Sequence, residues 1–403
     1  MLFACPECDR LHLWPSHSQG SLGETFYCVR CGSLLRRSGR PGAQQTSLAL
    51  TLAALLLFLL ANAFPLISLD LHGTVQTATL PGCVEILTAI GWPALAAILL
   101  TTVLLVPLLW LLGLAWVLVR VWRGRPGPGT GRLLRYALSL REWGMAEVFL
   151  LGILISYVKL SSMAVVLPGP SLFALVAFVV VAAAAESSLD PAGLWHAIAP
   201  APAAAQAGPL QGCHSCGLVV PLGVQRCRRC KGPLHPRKHE PLQRTWALLI
   251  TAVLLYVPAN VLPVMRVTSI GHQSADTILE GVVYFVHSGS WPLALLIFTA
   301  SVVVPLFKLG VLGLLLASVH LRWRWRPRLR TRLYQLTELI GRWSMVDIFV
   351  VVLMVAMVEM GAFAQIEPEA GAMAFALVVT ATMLASRSFD PRLIWDALEP
   401  ADG

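Results

Sequence analysis

The run WPLALLIFTASVVVPLFKLGVLGLLL, from Trp291 to Leu316, decides the fold, and its single charged residue is Lys308. An apolar run of about 20 residues is long enough to cross a bilayer as a helix. A lysine near the centre of such a helix costs roughly 2.5–3.5 kcal/mol to insert, so it needs a partner or a water-filled cavity. The next apolar run, Trp343 to Gly361, places Asp347 four residues from its start. With one helix descending and the next rising, Lys308 lies ~13 Å from the end of its run near Ala317, and Asp347 ~7 Å past Arg342, at 1.5 Å per residue. These depths predict contact. Two readings stand: a structural ion pair that locks two helices, and a proton or substrate relay inside a transporter.

The surroundings fit a membrane. Of 403 residues, 57% are hydrophobic and 13% charged, which points to a polytopic membrane protein. The net charge of +9 would suggest nucleic acid in a soluble protein. Here the basic residues fall between apolar runs, where topology explains them better, and no nucleic-acid partner is expected. Residues 1–40 are polar and cysteine-rich, and no cleavable signal peptide is visible.

In chain order, apolar runs at 46–68, 92–119, 143–165 and 171–189 follow the first cysteines, with Pro107 expected to kink the second. Residues 82–91 read as a short re-entrant or interfacial piece. From Cys213 the pattern begins again. Asn62-x-x-Pro65 recurs as Asn260-x-x-Pro263, Trp92-Pro93 as Trp291-Pro292, and Pro107 as Pro305. Trp143-Gly-Met-Ala-Glu147 recurs as Trp343-Ser-Met-Val-Asp347, and Asp190-Pro191 with Trp195 as Asp390-Pro391 with Trp395. Offsets of 198 to 200 mark a duplication. The expected fold is an all-α polytopic membrane protein of two tandem four-helix modules, each preceded by a small ribbon. Its boundaries are 1–40, 41–200, 201–240 and 241–403, with eight spans in all. Arg and Lys crowd into 1–45, 120–141, 199–245 and 318–342, while 69–81, 166–170 and 364–371 contain none. The positive-inside rule then puts both termini and both cysteine clusters in the cytoplasm, and the repeat is parallel.

Eight of nine cysteines form four CxxC pairs: Cys5/Cys8 with Cys28/Cys31, and Cys213/Cys216 with Cys227/Cys230. In a reducing compartment such pairs read as metal sites rather than disulfides. Four thiolates in two knuckles satisfy tetrahedral zinc, so two structural zinc ions are expected, with iron–sulfur or redox dithiol chemistry as the alternative. Segments this small build little core, and the metal would supply their folding energy.

Within module two, Ser301 lies two turns before Lys308, Ser344 lies three residues before Asp347, and Thr382 sits at similar depth in the last span. Ser301, Lys308, Ser344, Asp347 and Thr382 are therefore read as one buried polar cluster for transport or proton relay. Module one does not repeat it: Trp110 stands opposite Lys308 and Ala182 opposite Thr382, while Glu147 matches Asp347. No GxSxG, HExxH, Walker A or dinucleotide pattern occurs, so no enzyme is expected.

The duplicated cysteine-cluster-plus-four-spans plan, with its Asn-x-x-Pro, Trp-x-Met-x-Glu/Asp and Asp-Pro-x-x-x-Trp repeats, resembles the paraquat-inducible protein A family, with its PqiA and LetA (YebS) branches. The resemblance covers essentially the whole chain. It implies an inner-membrane protein partnered with an MCE-domain protein that forms a periplasmic tunnel. It further implies transport of phospholipid between the two membranes, powered by the proton gradient, and it favours the polar network of the second module. Two rivals remain at this level: a scaffold that docks the tunnel without moving lipid, and a quinone-linked redox protein.

Overall fold

The computed structural model describes residues 2–13, 25–37, 42–71, 74–161, 165–200, 210–269, 272–358 and 364–398. The first ribbon is two small hairpins, β1 (Leu2–Ala4) with β2 (Leu11–Leu13) and β3 (Thr25–Tyr27) with β4 (Leu34–Arg37).

Module one follows. It runs through α1 (Ala43–Ala63), β5 (Ile67–Leu71), β6 (Thr74–Ala78), α2 (Leu80–Ala89) and α3 (Pro93–Leu99). It continues with α4 (Val106–Trp122), α5 (Thr130–Arg141), α6 (Ala146–Ser161), β7 (Val165–Pro168), α7 (Pro170–Ser188) and α8 (Pro191–Ile198).

The second ribbon contains β8 (Leu210–Gly212) and β9 (Val219–Pro221). Module two repeats the plan: α9 (Pro241–Val261), β10 (Met265–Ser269), β11 (His272–Asp276), α10 (Ile278–His287), α11 (Trp291–Phe298) and α12 (Val304–His320). It ends with α13 (Pro327–Gly341), α14 (Val346–Val358), β12 (Ala364–Pro368), α15 (Ala370–Ser388) and α16 (Leu393–Asp396).

Among the described residues, seven helices are long and apolar enough to cross a membrane. Helix α6, where the sequence reading put the third span of module one, has 16 residues and is not one of the seven, and 162–164 beyond it lie outside the described residues. The all-α reading is amended by a three-stranded antiparallel sheet in each module, ordered β6-β5-β7 and β11-β10-β12. Each joins the hairpin after the first long helix of its module, α1 or α9, to the strand before the last long helix, α7 or α15. The short piece read at 82–91 is the apolar helix α2, with α10 as its counterpart.

The recurring motifs have local physical causes. Pro65 lacks the N–H that would bond Ala61 O, and the Ser171 hydroxyl from α7 donates to that carbonyl instead. Asn62 Nδ2 donates back to Phe58 O at 2.7 Å, as Asn260 does to Tyr256 O at 2.8 Å, while Asn62 Oδ1 is buried without a partner. Ahead of Pro107 and Pro305, the expected kink is taken up by π-helical turns, Leu100–Leu105 and Thr299–Val303. The first leaves Thr102 O free to accept from Met145 N at 3.1 Å, which fixes the start of α6.

The modules meet along α6 and α14. Phe149 and Phe349 hold matching positions in the repeat, and their rings touch edge-on with centroids 5.4 Å apart. The contact therefore pairs equivalent residues of the two repeats. Gly152 permits the approach: a Cβ there would stand 3.0 Å from Phe349 Cβ. Helix α14 is buried on all sides from Val351 to Ala356, with α2 of module one packed on it, whereas α6 leaves Glu147, Leu154 and Val158 exposed.

The ribbons cross over. The first docks under module two: Arg328 donates to Arg30 O and Val29 O, and Arg30 lies 4.9 Å over the Trp395 ring. The second docks under module one, where Arg229 Nε donates to Ala199 O at 2.8 Å. Gly131 of α5 lies so close to the Arg229 carbonyl that a Cβ would come within 2.6 Å. A bridge between Phe3 and Leu218 joins the two ribbons.

Candidate functional site

Each cysteine cluster is built by tight turns. Cys5, Cys28, Cys213 and Cys227 each accept, through their carbonyls, a bond from the residue after the second cysteine of the pair: Asp9, Gly32, Gly217 and Lys231. Those four residues are all left-handed, at φ 61, 80, 68 and 57°. This backbone curls the pair so that both sulfurs face one point. Each group of four sulfurs lies within 4.8 Å of one another, all buried. Cys5–Cys31 and Cys8–Cys28 sulfurs are 3.6 and 3.5 Å apart, and Cys213–Cys230 and Cys216–Cys227 are 3.5 Å apart. Zn–S bonds of about 2.3 Å in a tetrahedron need sulfurs about 3.8 Å apart, so the donor sets fit a metal of zinc's kind. Ser33 Oγ at 2.9 Å from Cys31 and Gly232 N–H at 3.4 Å from Cys230 offer hydrogen bonds to the sulfurs.

The polar residues of module two fall into two separate groups. Lys308 is fully buried, and its Nζ donates to Thr382 Oγ1 at 2.8 Å; that hydroxyl donates to Val379 O at 2.9 Å. Gly341, which the sequence did not single out, makes the room: a Cβ there would sit 3.4 Å from Lys308 Nζ. Asp347 faces the Ser301 hydroxyl, which itself donates to Ile297 O at 2.6 Å. Ser344 Oγ and Asp347 Oδ2 are buried without a hydrogen-bond partner. Asp347 lines a small cavity of about 10 Å³ with Val264, Ile278, Ala372 and Phe375.

The expected contact between Lys308 and Asp347 is not made; no ion pair joins them among the described residues. The depth estimate assumed that the third span starts near Arg342. Instead α13 and a 3₁₀ turn, Arg342–Met345, lead into α14. Lys308 meets this segment at Gly341, six residues and roughly 9 Å of helix before Asp347.

The Asp-Pro motifs differ between modules. Asp190 only caps α8, accepting from Gly193 N at 3.0 Å. Asp390 instead forms a buried ion pair with Arg392 at 2.8 Å and accepts Lys238 N at 3.2 Å. Burial alone would raise the Asp390 carboxyl, but the hydrogen bonds and charge of Arg392 outweigh it and hold its pKa low. Lys238 Nζ donates to Arg387 O and Phe389 O at the end of α15, and burial pushes its pKa down. Arg237 joins Asp396 to Asp9 of the first ribbon. The latch ties both ribbons to the helix that carries Thr382.

With this geometry in place, comparison with known proteins places the chain. The family profile described as "Paraquat-inducible protein A" matches residues 44–199 and again 242–399. The chain belongs to that family. The double match covers both modules and coincides with the repeat seen in sequence and structure. The chain is 35% identical over 402 residues to "Intermembrane transport protein PqiA" of Escherichia coli K12, covering 97% of this chain and 95% of the relative. It is 31% identical to "Lipophilic envelope-spanning tunnel protein A" of the same organism, covering 98% and 91%. A "Probable intermembrane transport protein" of Haemophilus influenzae is 29% identical over 98% of this chain and 95% of the relative. No solved structure matches.

Proposed function

We propose that the chain is the inner-membrane subunit of an intermembrane lipid transport system, passing phospholipid between the inner membrane and a periplasmic MCE-domain tunnel protein. The observation that carries the coupling step is the buried pair of unneutralised groups in module two: Lys308 on Thr382, and Asp347 with an oxygen buried without a partner. Buried carboxyls of this kind carry protons in pumps and transporters. Asp347 takes and releases the proton, and Ser301, Ser344 and Thr382 re-pair as its charge and that of Lys308 change. The names of the relatives support transport rather than catalysis. The two cysteine clusters each hold a structural zinc, and eight spans place both termini and both ribbons in the cytoplasm.

Asp347→Asn and Lys308→Ala should each abolish lipid transfer driven by a pH gradient in reconstituted vesicles, while the partner still assembles. Trp110→Ala in module one should transfer far better than either. Normal transfer by both module-two variants would make the cluster structural. Equal loss of transfer and partner assembly would favour a scaffold.

Topology has its own test. Exposed Thr77 and Ala275, changed to Cys, should react with an impermeant reagent from outside; Gly127→Cys, with open space around it, should not. Outside labelling at Gly127 would overturn the orientation.

A further inference from the structure

The two cysteine clusters are built alike but completed differently. In each ribbon the first cysteine of the second pair donates its N–H to a carbonyl five residues on: Cys28 to Ser33 at 2.8 Å, and Cys227 to Gly232 at 2.9 Å. Ser33 and Gly232 therefore hold the same place beside the sulfurs. Ser33 is buried, and its hydroxyl lies 2.9 Å from Cys31 Sγ and 3.3 Å from Cys5 Sγ. The first cluster thus finds its outer hydrogen bonds within its own ribbon. Gly232 has no side chain to offer, and only its backbone N–H reaches Cys230 Sγ, at 3.4 Å.

What stands in the place of the missing hydroxyl comes from module one. A Cβ at Gly232 would lie 2.8 Å from Nη1 of Arg135, on α5, and 3.2 Å from Cys230 Sγ. Guanidinium and sulfur face one gap, inside the ~4–6 Å over which opposite charges act strongly on each other. A side chain at Gly232 would close that gap. Arg135 Nη1 is buried and makes no hydrogen bond among the described residues. A buried donor is rarely left alone, and here the cysteines supply the compensating charge. Four thiolates around one divalent ion leave two negative charges unbalanced.

The docking holds this geometry in place. Gly131, one turn before Arg135, backs onto the carbonyl of Arg229, which lies between Cys227 and Cys230. The Arg135 guanidinium rests 4.7 Å over the Tyr136 ring. The first ribbon meets no such arm. Counted from Trp143 and Trp343, the residue of α13 that matches Arg135 is Gln335. Arg332 approaches Gly32, but a Cβ there would stand 4.0 Å from its Nη2, and Arg332 is exposed.

On the zinc reading of the clusters, we propose that Arg135 is the charge partner of the second cluster's metal, so that module one itself tightens that site. The first site, completed by Ser33, draws on no such charge from module two. Linkage is reciprocal: whatever α5 adds to metal affinity, the bound metal returns to the docking of the ribbon on α5.

The test is transfer of zinc from the full-length chain in detergent to an excess of a colorimetric chelator, with elemental analysis beforehand. Wild type should carry one zinc in each of its two clusters. Arg135→Gln should carry as much, yet release one ion about tenfold faster, the lower end of what outer partners contribute, with the other unchanged. Gly232→Ala, whose Cβ displaces the guanidinium, should speed release of the same ion and serves if Arg135→Gln folds poorly. Arg135→Lys keeps the charge and should recover most of the difference. Gly232→Ser, which gives the second ribbon the hydroxyl of the first, should slow release in the Arg135→Gln background. Arg332→Gln should leave both rates as they are. Loading with cobalt adds a readout that packing alone does not move: the sulfur-to-cobalt charge-transfer band should shift with Arg135→Gln and not with Arg332→Gln. Wild-type release rates in Arg135→Gln and Gly232→Ala would overturn the proposal. Equally fast release from Arg135→Lys and Arg135→Gln, with an unshifted cobalt band, would overturn it by making Arg135 a packing residue. Acceleration of both ions together would overturn it as general loosening. A wild-type chain without metal would bring down the zinc reading and this proposal with it, whereas two bound ions that ignore Arg135 would bring down the proposal alone.

Discussion

Cys28→Ser is expected to remove one of two zinc ions from the purified chain and to loosen the module that lies farther from it in sequence. The first ribbon has four strands of three or four residues and little apolar core besides the cysteines themselves. On the proposed zinc reading its fold depends on the metal; structural zinc in comparable small units supplies about 10–16 kcal/mol of apparent binding free energy. Once it unfolds, the contacts under module two go with it: Arg30 over Trp395, Arg328 on the Arg30 and Val29 carbonyls, and Asp9 on Arg237. Hydrogen exchange should then rise across 387–398 while 189–198 stays protected. Cys227→Ser should give the mirror result, because the second ribbon holds Ala199 through Arg229 and packs on α5. Elemental analysis supplies the metal count. If each cysteine variant loosens the module next to it in sequence, crossed docking is wrong.

What the sequence made legible was whatever is local or periodic. The cysteine knuckles, the apolar runs and the duplication each lie within a short window, and each carries its own physical signature. What it hid depends on distance along the chain. β5 pairs with β7, and Ile67 with Pro168, about a hundred residues apart, so no window contains both halves of that sheet. Crossed docking depends on where the ribbons land, and composition carries no trace of that. The error over Lys308 and Asp347 has a different origin. Helix α13 is amphipathic, with Arg328, Arg330 and Arg332 in its sequence, so hydropathy ends the span at its border and the helix runs on. Depth counted from the end of an apolar run then misplaces a residue by a turn or more. Gly341 was missed because a glycine leaves no chemical signal; its role is the space it does not fill.

Asp390→Asn should cost far more stability than Asp190→Asn, although both change the same motif. Asp190 caps α8 by accepting one backbone N–H from Gly193, and losing such a cap costs about 1 kcal/mol. Asp390 is 2% exposed at its side chain and Arg392 3%, so their pair is screened from water. Its two oxygens accept from Arg392 N, Nε and Nη2 and from Lys238 N. Without the carboxylate, a buried guanidinium keeps only Asp9, at 3.5 Å, and breaking a buried pair this way costs about 3–5 kcal/mol. The pH dependence has a fixed sign. The folded pKa of Asp390 is depressed, so its contribution is present above the free-carboxyl value of about 3.9 and lost as pH falls through the lower folded value. The latch therefore holds at neutral and mildly acidic pH and fails only in strong acid. Thermal unfolding of the full chain in detergent, at pH 7 and below pH 4, reads both effects. The Asp390→Asn chain should melt well below the Asp190→Asn chain at pH 7, and the gap should narrow in acid. Equal losses at pH 7 would mean that Asp390, like Asp190, is no more than a helix cap.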